Sequence, residues 1–350
     1  MEITEIPQEG YERVVRCEDT ESGLHAIISV HSTALGPALG GLRMWPYPSE
    51  AEALYDVLRL SKGMTYKSAV AQTGLGGGKA VIIGDPKTTK SEALYLAMGK
   101  FIDSLEGRYI TAEDVNTTMH DLEIVRRATR YVTGLSEADG GSGNPSPYTA
   151  YGVFLGIRAA LGWQFGSDDP AGRTVAIQGV GAVGSALCRR LVDHGAKVMI
   201  GDRNEARVQE LVEELGVTAV PQAEILFQEC DVLAPCALGA IINDETIPKL
   251  RCKILAGATN NPLEERRHGE ELVRRNILYA PDYVINAGGI INVSTELLPD
   301  GFNQEASLAR IERIPKALSE LWTIAKEENI APNIASHRLA KHILASAAIT

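Results

Sequence analysis

The stretch GLGGGK at residues 74–79 combines four glycines with a lysine that begins an apolar run. Glycine loses more conformational freedom on folding than other residues, so this stretch indicates a tight turn or a backbone that meets a ligand. One interpretation is a substrate loop next to Lys79, and the other is an ordinary flexible turn with a solvated lysine. ATP hydrolysis is not expected, because a phosphate-binding loop needs Ser or Thr where Ala80 stands.

Asp114 lies at the end of RYITAED, which has the apolar pattern of a strand. In α/β folds, ligand-binding groups lie beyond the carboxyl ends of strands, so Asp114 is a candidate for chemistry. The alternative is a helix N-cap, because the helical pattern TTMHDLEIVRRAT follows directly and aspartate is a favoured cap. Residue type alone favours the cap.

The stretch GVGAVG at residues 179–184 has the G-x-G-x-x-G spacing of dinucleotide-binding proteins. It follows the apolar strand RTVAIQ and opens the helical pattern SALCRRLVDHG, and the acid Asp202 ends the next strand. Gly179 permits a tight turn, Gly181 lets a pyrophosphate approach the helix N-terminus, and Gly184 permits close packing of helix on strand. This context makes the spacing a specific signal.

Asp202 can accept hydrogen bonds from both hydroxyls of an adenosine ribose, and its charge repels the 2′-phosphate of NADP. The predicted cofactor is therefore NAD. The neighbouring Arg203 is either a group that tolerates a 2′-phosphate or a solvated surface arginine. Cys236 lies in the strand-end segment APCALG, where the backbone is expected to face the cofactor, and nothing there indicates a thiol nucleophile.

The elements that must position these residues form two α/β halves. The first half alternates the strands HAIISV, GLRMW, KAVIIG and RYITAED with helical patterns, one of which opens with a capping box from Ser49 to Glu52. From Arg173 onward, the pattern becomes a cleaner parallel sheet of five or six strands separated by helices. A length of 350 residues also favours two domains.

Composition excludes several functions. The net charge of -11 disfavours the broad basic surface that nucleic-acid binding requires. The chain contains no run of ~18 apolar residues that could span a membrane. Its five cysteines form no C-x-x-C pair, and its histidines lack a metal-ligand spacing, so we expect no disulfide framework and no metal site. These features predict a cytoplasmic protein.

The whole chain resembles the glutamate/leucine/phenylalanine/valine dehydrogenase family, and its branched-chain members most closely. The resemblance rests on segments in family order: LGPALGGLRMWPY, GMTYKSAVAQTGLGGGKAVIIGDP, YITAEDVNTTM, GSGNPSPYTAYGV, GVGAVG, APCALGAIIN, GATNNPLEERRHG and APDYVINAGGIINV. It implies an α/β fold with a cleft between an N-terminal substrate-binding and catalytic domain and a C-terminal Rossmann domain that binds NAD. The expected domains are 1–135 with 328–350, which also mediates oligomerisation, and 136–327.

The implied activity is the reversible, NAD-dependent oxidative deamination of a branched-chain L-amino acid to its 2-oxo acid and ammonia. The implied assembly is a homo-oligomer, either an octamer or a dimer. Lys67, in MTYK, matches the lysine that binds the substrate α-carboxylate, Lys79 matches the catalytic lysine, and Asp114 matches the catalytic aspartate. Two nearby ammonium groups depress each other's pKa, so Lys79 could be neutral and activate water while Asp114 shuttles protons to and from the substrate nitrogen.

Further positions match family residues around the substrate or the cofactor. The other expected substrate-binding residues are Leu39, Gly40, Gly41, Met64, Ala112, Asn261, Ile290 and Val293. The expected cofactor-binding residues are Thr149, Gly179, Gly181, Ala182, Val183, Gly184, Asp202, Arg203, Cys236, Ala237, Asn260 and Asn286.

Two of these positions bear on specificity. Leu39 and Val293 stand where glutamate dehydrogenases carry a lysine and a serine that contact the γ-carboxylate. Burying a carboxylate against these apolar residues is costly, so glutamate is disfavoured. Branched Ile290 and Val293 narrow the pocket relative to phenylalanine enzymes and predict an aliphatic substrate. Leucine, valine and isoleucine differ by a methylene or two, worth only ~1–3 kcal/mol, and stay open.

The chain departs from the family pattern at Pro262, where the family usually has Gln, and its GGLR segment, with Leu42, is typical of the glutamate enzymes. Two alternatives are kept. One is an aromatic L-amino acid dehydrogenase of the phenylalanine or tryptophan type. The other is a non-catalytic NAD-binding regulator on the same fold, against which the presence of Lys67, Lys79 and Asp114 argues.

Overall fold

The computed structural model describes residues 1–347, except for the side chain of Asp139. It divides into two compact units, each of which contains a six-stranded sheet. The first unit comprises residues 1–144, 293–303 and the chain from 340, and the second comprises 145–292 and 304–339. The expected boundaries placed 293–303 in the second domain and the C-terminal return at 328. The segment 293–303 belongs to the first unit because Glu296 accepts hydrogen bonds from Gly134 and Ser142.

The sheet of the first unit is mixed, with the strand order β1-β2-β3-β5-β4-β6. Strands β1, β2, β3 and β5 pair antiparallel, whereas β4 runs parallel to both β5 and β6. The strands are β1 (Glu2–Glu5), β2 (Arg13–Asp19), β3 (Leu24–Ser32), β4 (Ala38–Trp45), β5 (Gly76–Ile83) and β6 (Tyr109–Glu113). The helices are α1 (Glu50–Val70), α2 (Glu92–Asp103) and α3 (Met119–Arg126).

Helices cover both faces of this sheet, and side-chain alternation determines which residues meet them. Ala38, Leu42 and Met44 of β4 join the buried cluster that includes residues of α2 and α3. On the opposite face, Val81 of β5 packs with residues of α1. Helix α1 begins at a cap in which Ser49 accepts a hydrogen bond from the Glu52 N–H, as the sequence predicts.

The sheet of the second unit is parallel throughout, with the order β12-β11-β10-β7-β8-β9. Its strands are β7 (Thr174–Gln178), β8 (Lys197–Gly201), β9 (Thr218–Ala219), β10 (Cys230–Pro235), β11 (Cys252–Leu255) and β12 (Leu278–Tyr279). The remaining helices are α4 (Ser146–Phe165), α5 (Ala182–Asp193), α6 (Glu205–Leu215), α7 (His268–Arg274), α8 (Asp282–Ile285), α9 (Gly288–Ser294), α10 (Gln304–Ile311), α11 (Ile314–Glu327) and α12 (Pro332–Ala347). None of the helices within residues 1–347 has both the length and the apolar character needed to cross a membrane.

Candidate active site

Lys79 and Asp114 form a salt bridge in the first unit, with 2.9 Å between Nζ and Oδ2. Lys79 lies in β5 and Asp114 directly follows β6, and β4 runs between these two strands. The two side chains meet across β4 because Gly41 has none there. A Cβ at Gly41 would lie 2.6 Å from the Asp114 Cβ and 3.2 Å from the Lys79 Nζ.

The glycines before Lys79 belong to a strand. Gly76, Gly77 and Gly78 are buried residues of β5, and Lys79 is only 4% exposed, so the interpretation as a flexible turn with a solvated lysine is wrong. Neighbouring chain segments occupy the space that side chains would need. A Cβ at Gly77 would lie 2.0 Å from the Thr65 backbone nitrogen, for example.

Asp114 does not cap the following helix. Thr118 caps α3 by accepting from the Asp121 N–H, and Asp121 accepts in return from the Thr118 N–H, which completes a capping box. The N-cap interpretation of Asp114 is therefore wrong, and its carboxylate forms a salt bridge with Lys79 instead. The helix begins later than the sequence pattern predicts because Thr117 and Asp114 close a turn, in which the Thr117 N–H donates to the Asp114 carbonyl.

The sequence analysis missed Arg43, a third charged residue at this site. Its Nε donates to Asp114 Oδ2 at 2.9 Å, and its Nη1 donates to Asp56 Oδ2, also at 2.9 Å. A usable signal was present, because residues two apart on a strand share a face and Arg43 lies two positions after Gly41.

Burial controls the charge state of this cluster. Burial lowers the pKa of Lys79, Asp114 raises it, and Arg43 lowers it further, with a net decrease. The leading cause is thus burial and not the repulsion from Lys67 that the sequence analysis invoked. Burial raises the pKa of Asp114, but Lys79 and Arg43 outweigh this effect, so the net pKa is lowered and the carboxylate stays ionised.

The other expected substrate residues are divided between the two units. Leu39 is buried and shares the face of β4 that carries Gly41 and Arg43. Met64 and Lys67 lie one helical turn apart in α1, which packs on β5. The remaining positions in the first unit are Gly40 in β4, Ala112 in β6 and Val293 in α9, and those in the second unit are Asn261 and Ile290.

All expected cofactor residues lie in the second unit, where the three glycines of residues 179–184 differ in conformation and surroundings. Gly179 has a φ of 91°, and a Cβ there would lie 2.6 Å from the Ala237 Cβ. A Cβ on Gly184 would lie 2.0 Å from the Gly179 carbonyl oxygen, so this glycine permits close packing of α5. A Cβ at Gly181, the N-cap of α5, would instead meet only the Arg207 Nη1, at 4.0 Å, so the helix N-terminus stays accessible to a phosphate.

Asp202 is held rigidly beyond the end of β8. Its Oδ2 accepts from the Val180 N–H at 2.7 Å, and its Oδ1 accepts from the Asn204 N–H at 2.8 Å. Each carboxylate oxygen keeps a second lone pair with which it can accept from a ribose hydroxyl. Arg203 is exposed. These residues fit a dinucleotide with a free 2′-hydroxyl.

Local hydrogen bonds also involve three other expected cofactor residues, Asn260, Asn286 and Thr149. Asn286 is buried, and its Nδ2 donates to the Asn260 Oδ1 at 2.7 Å and to the Ala258 carbonyl at 3.0 Å. Thr149 donates to the Pro145 carbonyl, and a Cβ at Gly289 would lie 2.7 Å from its Oγ1.

Comparison with known proteins decides the family. The model of the Glu/Leu/Phe/Val dehydrogenase dimerisation domain matches residues 11–131. The model of the glutamate/leucine/phenylalanine/valine dehydrogenases matches residues 140–203 and 199–349. The chain belongs to the glutamate/leucine/phenylalanine/valine dehydrogenase family. It is therefore an amino acid dehydrogenase, and the predicted family, fold class, enzyme class and NAD cofactor are confirmed.

Several dehydrogenases of this family are similar over nearly the whole chain. Leucine dehydrogenase of Thermoactinomyces intermedius is 54% identical over 95% of this chain and 90% of its own length. Phenylalanine dehydrogenase of Bacillus thermotolerans is 47% identical over 94% of this chain and 87% of its own. The crystal structure of L-tryptophan dehydrogenase from Nostoc punctiforme superimposes with a TM-score of 0.88 at 42% identity and covers 97% of both chains.

The structure shows the surroundings of two positions noted in the sequence of this dehydrogenase, Pro262 and Cys236. Asn261, which precedes Pro262, has a φ of 50°, and its N–H donates to the Asp282 carboxylate at 2.7 Å. Cys236 lies beside Gly184 of α5, and burial raises the pKa of its thiol to about 11, so the thiol stays protonated. This agrees with the expectation that it is no nucleophile.

Three side chains that could offer metal ligands lie close together, but the side chain of Arg16 already pairs with two of them. Ligand atoms of Glu18, His25 and Glu50 lie within 4.8 Å of one another. The Nη1 of Arg16 is 3.3 Å from Glu50 and 3.6 Å from Glu18, so the group is an ion-pair network.

Proposed function

We propose that this dehydrogenase catalyses the reversible NAD-dependent oxidative deamination of a branched-chain L-amino acid, with leucine preferred, to its 2-oxo acid and ammonia. The observation that carries the proposal is the salt bridge between buried Lys79 and half-buried Asp114, an amine of lowered pKa in contact with an ionised carboxylate. Such a pair places two groups that can accept protons, a neutral amine and a carboxylate, next to each other. Leucine dehydrogenases at 54% identity over 95% of the chain support the choice of substrate.

In this proposal, Lys79 and Asp114 divide the proton transfers between them. When bound, NAD would supply the acceptor for the hydride that leaves the substrate Cα. Loss of this hydride leaves an iminium carbon, and because the pKa of Lys79 is lowered, its neutral amine can take a proton from the water that attacks this carbon. The Asp114 carboxylate passes a proton to the substrate nitrogen, and the Cα–N bond then breaks to release ammonia and leave the 2-oxo acid. Burial keeps bulk water away from Lys79, which strengthens both interactions.

We assign the other roles in the same way. Lys67 binds the substrate α-carboxylate, and the backbone at Gly40 and Gly41 approaches the substrate closely. Apolar side chains contact the substrate side chain, and no cation among them would pair with a γ-carboxylate. They are Leu39, Met64, Ala112, Ile290 and Val293. Asn261 contacts the substrate as well.

In the second unit, the loop and helix that follow β7 hold the cofactor pyrophosphate, and Asp202 selects NAD over NADP. The open N-terminus of α5 and the fixed carboxylate of Asp202 support these roles. The assigned cofactor residues are Thr149, Gly179, Gly181, Ala182, Val183, Gly184, Asp202, Arg203, Cys236, Ala237, Asn260 and Asn286.

We further propose that the enzyme is a cytoplasmic homo-oligomer, either an octamer or a dimer. The match of residues 11–131 to a dimerisation domain supports self-association. Its five cysteines are free thiols, which is consistent with a reducing compartment. The first unit would mediate assembly and bind the substrate, and the second would bind NAD.

The decisive experiment is a kinetic panel of L-leucine, L-valine, L-isoleucine, L-phenylalanine, L-tryptophan and L-glutamate, each with NAD and with NADP. We expect the highest kcat/KM for leucine with NAD and no measurable turnover of glutamate. A preference for phenylalanine or tryptophan would instead establish the aromatic alternative. NAD binding without turnover of any amino acid would indicate the regulatory protein.

The variant Lys79→Ala tests the mechanism. We expect kcat for leucine deamination to fall by roughly 100- to 10,000-fold, the usual contribution of a general base. NAD affinity, measured by fluorescence titration, should stay unchanged because the dinucleotide loop lies in the other unit. Lys87→Ala, at an exposed lysine of the first unit, is the matched control and should retain wild-type turnover. Comparable kcat values for the two variants would refute the role of Lys79.

A further inference from the structure

Arg43 bridges the candidate catalytic carboxylate to a second carboxylate on another element. Its side chain is 20% exposed, and those of Asp114 and Asp56 are 23% and 16% exposed. Two different nitrogens of the guanidinium serve the two acids, Nε for Asp114 and Nη1 for Asp56. This planar, two-ended geometry is one that lysine cannot reproduce.

Both cations beside Asp114 contact the same oxygen of its carboxylate. Lys79 Nζ and Arg43 Nε both lie 2.9 Å from the same oxygen, Oδ2. Within residues 1–347, the Oδ1 of Asp114 has no hydrogen-bond partner. A carboxylate held at one oxygen by two cations from two strands has a fixed orientation, and the other oxygen remains available to accept a proton from a substrate nitrogen.

Asp56, at the far end of Arg43, is itself fixed. Its Oδ2 also accepts from the Tyr47 hydroxyl at 2.7 Å, and its Oδ1 accepts from Arg59 at 2.9 Å. Asp56 lies in α1 and Arg43 in β4, so this group of residues links the helix to the strand. The Arg43 guanidinium cannot turn away from Asp114 without breaking its hydrogen bond to Asp56.

We propose that Arg43 is a positioning residue for the deamination reaction, which orients the Asp114 carboxylate through Oδ2 and keeps a second cation beside Lys79. The inference rests on the proposed function of Lys79 and Asp114. It adds a residue that touches neither substrate nor cofactor and acts through Asp114.

The charges around the pair determine the direction in which pH dependence should change. Besides each other, the charged or titratable groups recorded as interacting with Lys79 or Asp114 are Arg43 from β4, Asp56 from α1, and Tyr109 and Glu113 from β6. Arg43 lowers the pKa of Lys79, whereas Asp56 raises it. Loss of Arg43 therefore makes Lys79 bind its proton more tightly, and loss of the Asp56 charge has the opposite effect.

The test compares Arg43→Met with Arg43→Lys in leucine deamination. For Arg43→Met we expect kcat to fall on the order of 10- to 100-fold, the cost of a misplaced catalytic group. The acid limb of the kcat/KM profile should move to higher pH by about one unit. KM for leucine should change less than kcat, because Arg43 does not touch the substrate. Arg43→Lys should recover part of kcat and return the acid limb toward its wild-type position.

Arg127→Met is the matched control, because Arg127 is an exposed arginine of the first unit that pairs with Glu92 and contacts neither Asp56 nor Asp114. It should retain the wild-type pH profile. NAD titration and thermal unfolding establish that each variant is folded. A folded Arg43→Met enzyme with wild-type kcat and an unmoved acid limb would overturn the inference, as would equal effects of Arg43→Met and Arg127→Met.

A second variant covers the case in which Arg43→Met does not fold. In Asp56→Asn, Arg43 loses its second anchor while Asp114 and Lys79 stay intact, so we expect kcat to fall several-fold and the acid limb to move to lower pH. A wild-type kcat with an unmoved limb would again overturn the inference. Failure of the wild-type enzyme to turn over any amino acid would refute the proposed function, whereas the inference fails only against an active wild type.

Discussion

At the scale of single residues, the lack of a side chain at Gly41 is as important for this site as the charged residues are. Gly41 lies on the strand between Lys79 and Asp114, and its missing Cβ is what lets the two side chains meet. The sequence analysis listed Gly41 among the expected substrate-binding residues. The structure adds a requirement that holds without any substrate, because the salt bridge passes over this position.

Gly41→Ala should therefore disrupt the salt bridge between Lys79 and Asp114. The added Cβ would lie 2.6 Å from the Asp114 Cβ, so Asp114 must move, and we expect kcat for leucine to fall on the order of 100-fold. Gly63→Ala is the matched control, since Gly63 is an exposed residue of α1 and a Cβ there would meet nothing within 4 Å. It should keep wild-type kcat and raise the free energy of unfolding by up to about 1 kcal/mol. Equal kcat in both variants would contradict this account of Gly41.

At the scale of elements, the packing of α1 on the first sheet partly buries a titratable group between the helix and the sheet. His31 of β3 shares a hydrogen bond of 2.9 Å with the Thr65 hydroxyl of α1, and its ring packs edge-on against Tyr11. Burial, together with the nearby Lys62, lowers the pKa of His31 from 6.5 to about 4. The junction of helix and sheet is thus built around a neutral imidazole.

This lowered pKa makes stability depend on pH. Between pH 6.5 and 4 the unfolded chain binds a proton at His31 and the folded chain does not, so stability is lost as pH falls through this window. The contribution is a fraction of the ~1.4 kcal/mol per pH unit that one proton can give, since His31 keeps some solvent contact. Urea unfolding at several pH values should show a shallower slope for His31→Gln than for the wild type. His120→Gln, at an exposed histidine of α3, should leave the slope unchanged; identical slopes for all three proteins would argue against this effect.

At the scale of the whole molecule, the first unit is assembled from segments that are far apart in the chain. Residues 293–303 join residues 1–144 after the chain has passed through the second unit. Glu296 makes this connection, because its carboxylate accepts from the Gly134 N–H and from both the N–H and the hydroxyl of Ser142. These hydrogen bonds span more than 150 residues of sequence.

Glu296→Ala should destabilise the first unit. It leaves the buried Ser142 hydroxyl and two backbone N–H groups without their acceptor, so we expect a loss of about 2–4 kcal/mol in the free energy of unfolding. Glu92→Ala removes an exposed carboxylate that pairs with Arg127 and is expected to change stability little. Chemical denaturation of both variants is the measurement. An equal, small effect in the two would show that Glu296 does not stabilise this junction.

The sequence by itself determined the features that depend on local pattern. Strand and helix periodicity predicted two α/β halves, and the spacing of Gly179, Gly181 and Gly184 after a strand predicted a turn whose backbone the structure reproduces. Asp202 was predictable for the same reason, since it lies at a fixed step along one strand–helix–strand unit. Such signals are carried by residues close together in the chain, where backbone geometry leaves few alternatives.

The tertiary structure alone decided which remote groups meet. GLGGGK is compatible with a flexible turn, and only the contacts with α1 and β4 show that its last three glycines lie in a buried strand. The sequence analysis did not identify Arg43 and Glu296, because their partners lie tens to more than a hundred residues away along the chain. The pKa of Lys79 likewise depends on burial, which arises only when α1, β4 and β6 pack around β5. Local pattern specifies the elements, whereas the distances and desolvation that govern charge exist only after the elements have packed.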